Sequence, residues 1–169
     1  RQPHHADHVV STAIDGLGGL DGVVNAAGVV AFGPLEELDD AALDELVATD
    51  LVGPVRVIRT AVPHLREGFV VNITGVVADQ PMSGLAAYSA VKAGLSAATQ
   101  ALGRELRRQG LQVLDARPPH TETGLAERPI SGTAPAMPTG LDPALVARVI
   151  VDGVASGARE LPAGAFSGG

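Results

Sequence analysis

Tyr88 and Lys92, in the stretch "AYSAVKAG" at 87–94, are the only tyrosine and the only lysine in this chain. Four residues apart on a helix, their side chains share one face about a turn apart, so a phenol and an ammonium group can meet. A free tyrosine ionises near pH 10 and is a poor acid or base at neutral pH. A neighbouring cation favours the phenolate, so the expectation is that Lys92 pulls the Tyr88 pKa down. A tyrosine tuned in this way passes a proton to or from a substrate oxygen. The same spacing also occurs on ordinary amphipathic helices, so the pair acquires meaning only from what surrounds it.

The elements around the pair supply that context. Residues 5–17 have apolar positions at helical spacing and stop at Gly18 and Gly19. "LDGVVNAAG" reads as a short strand buried on both faces. Asp39 or Asp40 caps a long helical segment, 41–65, that Gly53 and Pro54 should bend or interrupt. "FVVNIT", 69–74, is β-branched and reads as a second strand. After a turn-rich loop, 75–84, helical spacing returns from Leu85 to Arg108, and "LQVLDARP" is a third strand. A stretch at 118–142 with five prolines and three glycines reads as an ordered flap or a lid. A last helix, about 143–156, precedes the tail "ELPAGAFSGG", which carries little pattern.

Strand, long helix, strand, long helix, strand forces a parallel sheet, so the class is α/β and the chain reads as one domain, 1–169. Three parallel strands leave both edges open, and further strands are expected from outside these residues or from a partner chain. In such sheets ligands sit at the carboxyl ends of the strands. Tyr88 begins its helix just after the second strand, and "NAAG" at 25–28 and "PPHTET" at 118–123 fall at the same rim. Three strand ends thus converge on one crevice.

In the order "NAAG", "NIT", "YSAVK", and Pro118 with Thr123 five residues on, the sequence from about 15 to 125 resembles the short-chain dehydrogenase/reductase family. The resemblance implies a Rossmann-like, doubly wound parallel sheet, present here as the C-terminal two-thirds of the domain, with 118–142 as a substrate flap. It implies hydride transfer between NAD or NADP and a small alcohol or carbonyl substrate. It makes Tyr88 the general acid/base and Lys92 its partner and a ligand of the nicotinamide ribose. Asn25, Ala26 and Gly28 would line the adenosine side, with Pro118 and Thr123 at the nicotinamide carboxamide. A homodimer or homotetramer is also implied, formed through the small-residue helix that carries the pair.

Three departures qualify this expectation. The family's serine, thirteen residues before the tyrosine, is Gly75 here. Thr74 replaces it only if the strand has already ended or bulges, and Ser83 reads first as a loop-turning residue. The family's relay asparagine is Asp50, which accepts hydrogen bonds but cannot donate them, and which has a solvated helix acid as its plain reading. The only dense glycine run, 16–22, follows a helix and precedes a strand, so it is not a phosphate loop; the family's glycine-rich turn and first strands would precede residue 1. With Gly75, the alternative is a non-catalytic ligand-binding or oligomeric scaffold of the same fold.

Composition closes other classes. A formal charge of -7, one basic cluster at Arg104, Arg107 and Arg108, and no tryptophan argue against a nucleic-acid partner. No apolar run approaches a membrane span, and the absence of cysteine fits a reducing, cytoplasmic setting. His4, Asp7 and His8 have a metal-ligand spacing but no third distant ligand, so no metal site is expected. His120, in the flap, is placed to touch substrate.

Overall fold

The computed structural model describes residues 5–167, and His4 therefore lies outside the described residues. Its centre is one parallel sheet: β1 (Leu20–Asn25), β2 (Leu65–Ile73), β3 (Gln112–Ala116) and β4 (Glu160–Leu161), side by side in chain order. The α/β expectation holds, but the strand count does not. The tail contributes a fourth strand, pairing Asp115 with Glu160 and Ala116 with Leu161, and so covers the edge of β3. Two residues without an alternating pattern leave no periodicity to read, which is why this strand was not expected.

Strands β2 and β3 are buried on both faces, as continuous Val/Leu runs require, but β1, expected to be buried on both, is not: Asp21 and Val24 are exposed, Val24 at 52%, because β1 is an edge strand with that side left uncovered. On one face Val70 and Val113 pack with Ile58, Leu65, Leu106 and Leu111. On the other, Val71, Leu114 and Ala116 pack with Val146, Ile150 and Phe166. Phe166 is 1% exposed, so the tail anchors the second face of the sheet as well as its edge.

The helices are α1 (His5–Leu17), α2 (Asp40–Val47), α3 (Gly53–Ala61), α4 (Ala86–Glu105) and α5 (Pro143–Ala155). The Asp39 side chain caps α2, accepting from the Ala42 N–H. The expected long helix is interrupted where Gly53 and Pro54 predicted, but by widening: Ala48–Val52 form a π turn, and Pro54 then sits in the first turn of α3, where its missing N–H costs nothing. The helix ends at Ala61 and β2 begins at Leu65, earlier than the β-branched run suggested. Gly18 closes α1 with φ 78°, its N–H bonded to the Ile14 carbonyl, so the glycine run at 16–22 is a helix exit as read.

Residues 118–142 contain no helix or strand, but they are tied down at both ends. The Phe32 N–H donates to the Ser131 carbonyl and Ile130 N–H to the Val30 carbonyl, fastening the segment to the loop after β1. Thr121 bridges Leu141 at its base. No helix among the described residues is long and apolar enough to cross a membrane.

Candidate functional site

Because the strands are parallel, Asn25, Ile73 and Ala116 end at the same rim of the sheet. The backbone there is stitched tightly: the N–H groups of Thr74 and Gly75 reach the Ala116 carbonyl, and Val76 N–H reaches that of Pro118. Helix α4 starts above this rim and carries Tyr88 in its first turn and Lys92 one turn later.

Lys92 is buried, at 6% exposure. Its Nζ donates to the Ile73 carbonyl at 3.1 Å and lies 3.6 Å from Asp50 Oδ1, and it stands 5.7 Å from the centroid of the Tyr88 ring. The pair is therefore brought together as its spacing predicted. Asp50 is not a solvated helix acid: it projects from the π turn, is 0% exposed, and accepts from the Val29 N–H at 3.2 Å. Gly28 is the reason the chain can pass so close, since a Cβ there would stand 2.7 Å from Asp50 Oδ1 and 3.6 Å from Lys92 Nζ.

The electrostatics differ from the simple expectation. Burial pushes the Tyr88 phenol well above its ordinary value, and the Asp50 carboxylate adds to the rise. Burial likewise lowers Lys92, against the pull of Asp50, and raises Asp50, against the pull of Lys92 and the Val29 N–H. The expected lowering of the tyrosine by Lys92 is thus reversed, first because the phenol is withdrawn from water and second because the Asp50 carboxylate lies nearby.

Thr74 does not replace the absent serine. The strand has ended at Ile73, but the Thr74 side chain is 0% exposed and donates to Asp115 Oδ1 at 2.5 Å, so its hydroxyl faces the interior. Gly75 has φ 77° and ψ 163°, a conformation left almost entirely to glycine. Ser83 is exposed in the loop ahead of α4. Asn25 is half-buried and donates to Asn72 Oδ1 at 2.7 Å; Ala26 is exposed beside it. Pro118 is buried at the end of β3, whereas Thr123 is exposed in the flap, its carbonyl near Arg128. The flap encloses a cleft of about 620 Å³ lined by His120, Glu122, Glu127, Thr133, Met137 and further flap residues, a set that does not include Tyr88. His120 Nε2 is 3.5 Å from Glu122, which also accepts from the Gly140 N–H. Asp7 accepts from Thr60, and no cluster of metal-ligating groups occurs among the described residues.

Sequence reasoning missed a buried polar network beneath the site. Asn72 links Asn25 to Thr99 on α4, which in turn donates to the Leu95 carbonyl. Asp115 accepts from Thr74 and from Ser96 of α4, and faces Arg117 at 3.6 Å. Arg117 then reaches Asp79 and Glu160, each at 2.5 Å, tying the loop after β2 to β4. The available signal was a polar residue inside an otherwise apolar strand, as in "FVVNIT" and "QVLDA", which forces a buried partner.

Comparison with known proteins places this arrangement among relatives. The family model described as short chain dehydrogenase matches residues 1–132. An uncharacterized oxidoreductase of Staphylococcus epidermidis is 29% identical over 124 residues, covering 72% of this chain and 54% of the relative. The crystal structure of a short-chain dehydrogenase from Streptomyces avermitilis superposes with a TM-score of 0.83 at 26% identity, over 96% of this chain and 66% of that one. A short chain dehydrogenase from Burkholderia cenocepacia, solved in complex with NADP, does so with a TM-score of 0.80 at 26% identity, over 90% and 65%. The chain spans about half the length of the curated relatives it matches.

Proposed function

The chain belongs to the short chain dehydrogenase family, and on that premise we propose that it is the acid/base and substrate-binding part of an NAD- or NADP-dependent oxidoreductase acting on a small alcohol or carbonyl compound. The single observation that carries the reading is the meeting of Tyr88, Lys92 and Asp50 at the carboxyl ends of a parallel sheet. The NADP complex of the Burkholderia relative supports the cofactor class.

The residues present suit such a cofactor: at its nicotinamide end Lys92 offers a buried ammonium donor and Thr123 an exposed hydroxyl, while on the adenosine side Asn25 is a half-buried amide and Gly28 keeps the chain free of a side chain where it passes Asp50. Among the described residues no glycine-rich turn stands between a strand and a following helix, so the pyrophosphate end has no such cradle here. When bound, the nicotinamide exchanges a hydride with the substrate carbon. Tyr88 Oη gives its proton to the carbonyl oxygen during reduction, or takes the hydroxyl proton during oxidation. Lys92 anchors α4 to the end of β2 through the Ile73 carbonyl and so fixes where the phenol stands. The segment 118–142 serves as the substrate flap, its cleft with His120 lying beyond the rim. The assembly is proposed as a homodimer or homotetramer in the cytoplasm.

Gly75 favours a second reading, a ligand-binding scaffold with this fold, because no hydroxyl stands where a substrate oxygen would be held. The discriminating experiment titrates NADH and NADPH by fluorescence against the protein and follows turnover of a carbonyl panel by it and by Tyr88→Phe. Cofactor binding with turnover that falls by about 10²-fold or more in the variant is expected. Cofactor binding without turnover selects the scaffold, and no binding by the full-length protein overturns both cofactor and enzyme.

A further inference from the structure

We propose that Asp50 is a positioning residue that engages the Lys92 ammonium and offsets its charge beside Tyr88, so that the pair presents Tyr88 as a proton donor. This rests on the oxidoreductase reading above and goes beyond it by assigning the site a preferred direction, reduction of a carbonyl.

The geometry carries the argument. An ammonium group has three donors in all. One reaches the Ile73 carbonyl at 3.1 Å, and the carboxylate of Asp50 lies on another side at 3.6 Å, while the phenol ring is 5.7 Å away at its centroid. The ammonium is therefore engaged with the sheet end and with Asp50, and its charge is shared with that carboxylate. Asp50 cannot relax from this position. It is completely buried, its Oδ1 is held by the Val29 N–H, and the loop at Gly28 closes over it with no room for a Cβ. It projects from a π turn, in which an inserted residue turns a side chain off the ordinary helix register.

The charged groups set against Tyr88 are Lys92 from its own helix and Asp50 from the π turn. The end of β2 contributes the Ile73 carbonyl, and the loop at 28–31, with Leu38, Leu46, Val47 and Leu51, contributes apolar contacts. Asp115, the acid buried beneath α4 and β2, is taken up by Thr74, Ser96 and Arg117. With one cation and one anion beside it and little water, the phenol loses its proton with difficulty, which agrees with the upward displacement of its ionisation. With a reduced nicotinamide bound to supply the hydride, a neutral Tyr88 phenol would give its proton to the carbonyl oxygen, and the tyrosinate left behind would be reprotonated from solvent. Taking a proton from an alcohol would need the phenolate first.

The chain has one tyrosine and no tryptophan, so phenolate absorbance near 295 nm reports Tyr88 alone, without cofactor, substrate or turnover. The experiment titrates the full-length protein and Asp50→Asn from pH 8 to 11.5, with the urea-unfolded chain as reference and far-ultraviolet circular dichroism on the same samples. Should the full-length protein contain further tyrosines, the readout becomes the difference from its Tyr88→Phe variant. Asparagine keeps an acceptor for the Val29 N–H and removes only the charge. The parent midpoint is expected above that of the unfolded chain, with the Asp50→Asn midpoint about one pH unit lower than the parent's. An Asp50→Asn midpoint equal to or above the parent's overturns the proposal, as does a parent midpoint at or below the unfolded value, whether from unfolding or from a stabilised phenolate. If the absorbance behaves as expected while no variant shows turnover, the role of Asp50 stands and the oxidoreductase reading falls. Where turnover is present, the pH profile for alcohol oxidation moves down in Asp50→Asn with the midpoint; an unmoved profile counts against the proposal.

Discussion

The corner around Tyr88 and the flap at 118–142 are made on opposite principles. In the corner, Asp50 and Lys92 are buried and satisfied, and the strands beneath are joined to α4 through Asn72, Thr99, Ser96 and Asp115. In the flap, order comes from a few backbone hydrogen bonds at Val30, Phe32, Ser131 and Leu141, and most side chains face the cleft or solvent. A group that must hold a proton at a fixed atom is built into the core, where each partner is costly to remove. Under the proposed function, the surface that would meet a substrate is hung from its ends, where side chains can change without disturbing the core.

Removing a partner from the corner's foundation tests this contrast most severely. Asp115→Ala strands Thr74, Ser96 and part of Arg117 without their common acceptor, and about 3 kcal/mol of stability should be lost. Urea denaturation measures it; a loss below about 1 kcal/mol would mean that the network is ornamental and the corner no stiffer than the flap. A smaller and differently placed effect is expected from Gly132→Ala. Gly132 has φ 72°, and its Cβ would collide with the Phe32 carbonyl, so the tie between flap and β1 loop must open, at about 1–2 kcal/mol. Under the proposed function KM rises several-fold while kcat is held, and steady-state kinetics on the two parameters separates a flap effect from damage to the corner.

The gentlest test uses pH. The Tyr88 ionisation is raised on folding, so its contribution to stability is fully present below the unfolded value near 10 and is lost as pH climbs from there towards the folded value. Between pH 9 and 11 the parent should therefore lose stability relative to Tyr88→Phe, at a slope of no more than about 1.4 kcal/mol per pH unit. Urea midpoints across that range for both proteins give the difference, in which Lys92 and the other alkaline groups cancel; parallel curves would show a phenol no more protected than the flap.

Most of this architecture was legible because it obeys strong local rules. The β-branched run at 69–74 and the small-residue helix at 86–105 declare themselves, and order along the chain then brings Tyr88 to the rim. Gly53 and Pro54 marked the interruption before α3, but not that it would be a π turn that buries Asp50. What stayed hidden depends on distant partners. Glu160, Leu161 and Phe166 acquire their meaning only when β3 offers an edge and Val71, Leu114 and Ile150 offer a face. The direction of the Tyr88 shift has a related reason: spacing shows that Lys92 is near, and only the fold shows that the phenol is buried and that Asp50 is near.

The backbone at Gly75 has a further consequence for anyone wishing to alter this protein. A hydroxyl cannot be supplied there by exchanging one side chain, because the main chain itself traces a path that a serine resists at a cost of about 1–3 kcal/mol. Its N–H is already committed to Ala116 and the next to Pro118, so straightening the path would unpick the seam between two strands. Position 75 is in this sense locked by inheritance of shape, whereas in the flap a residue such as Thr133, exposed on the lining of the cleft, can be exchanged without redrawing the main chain.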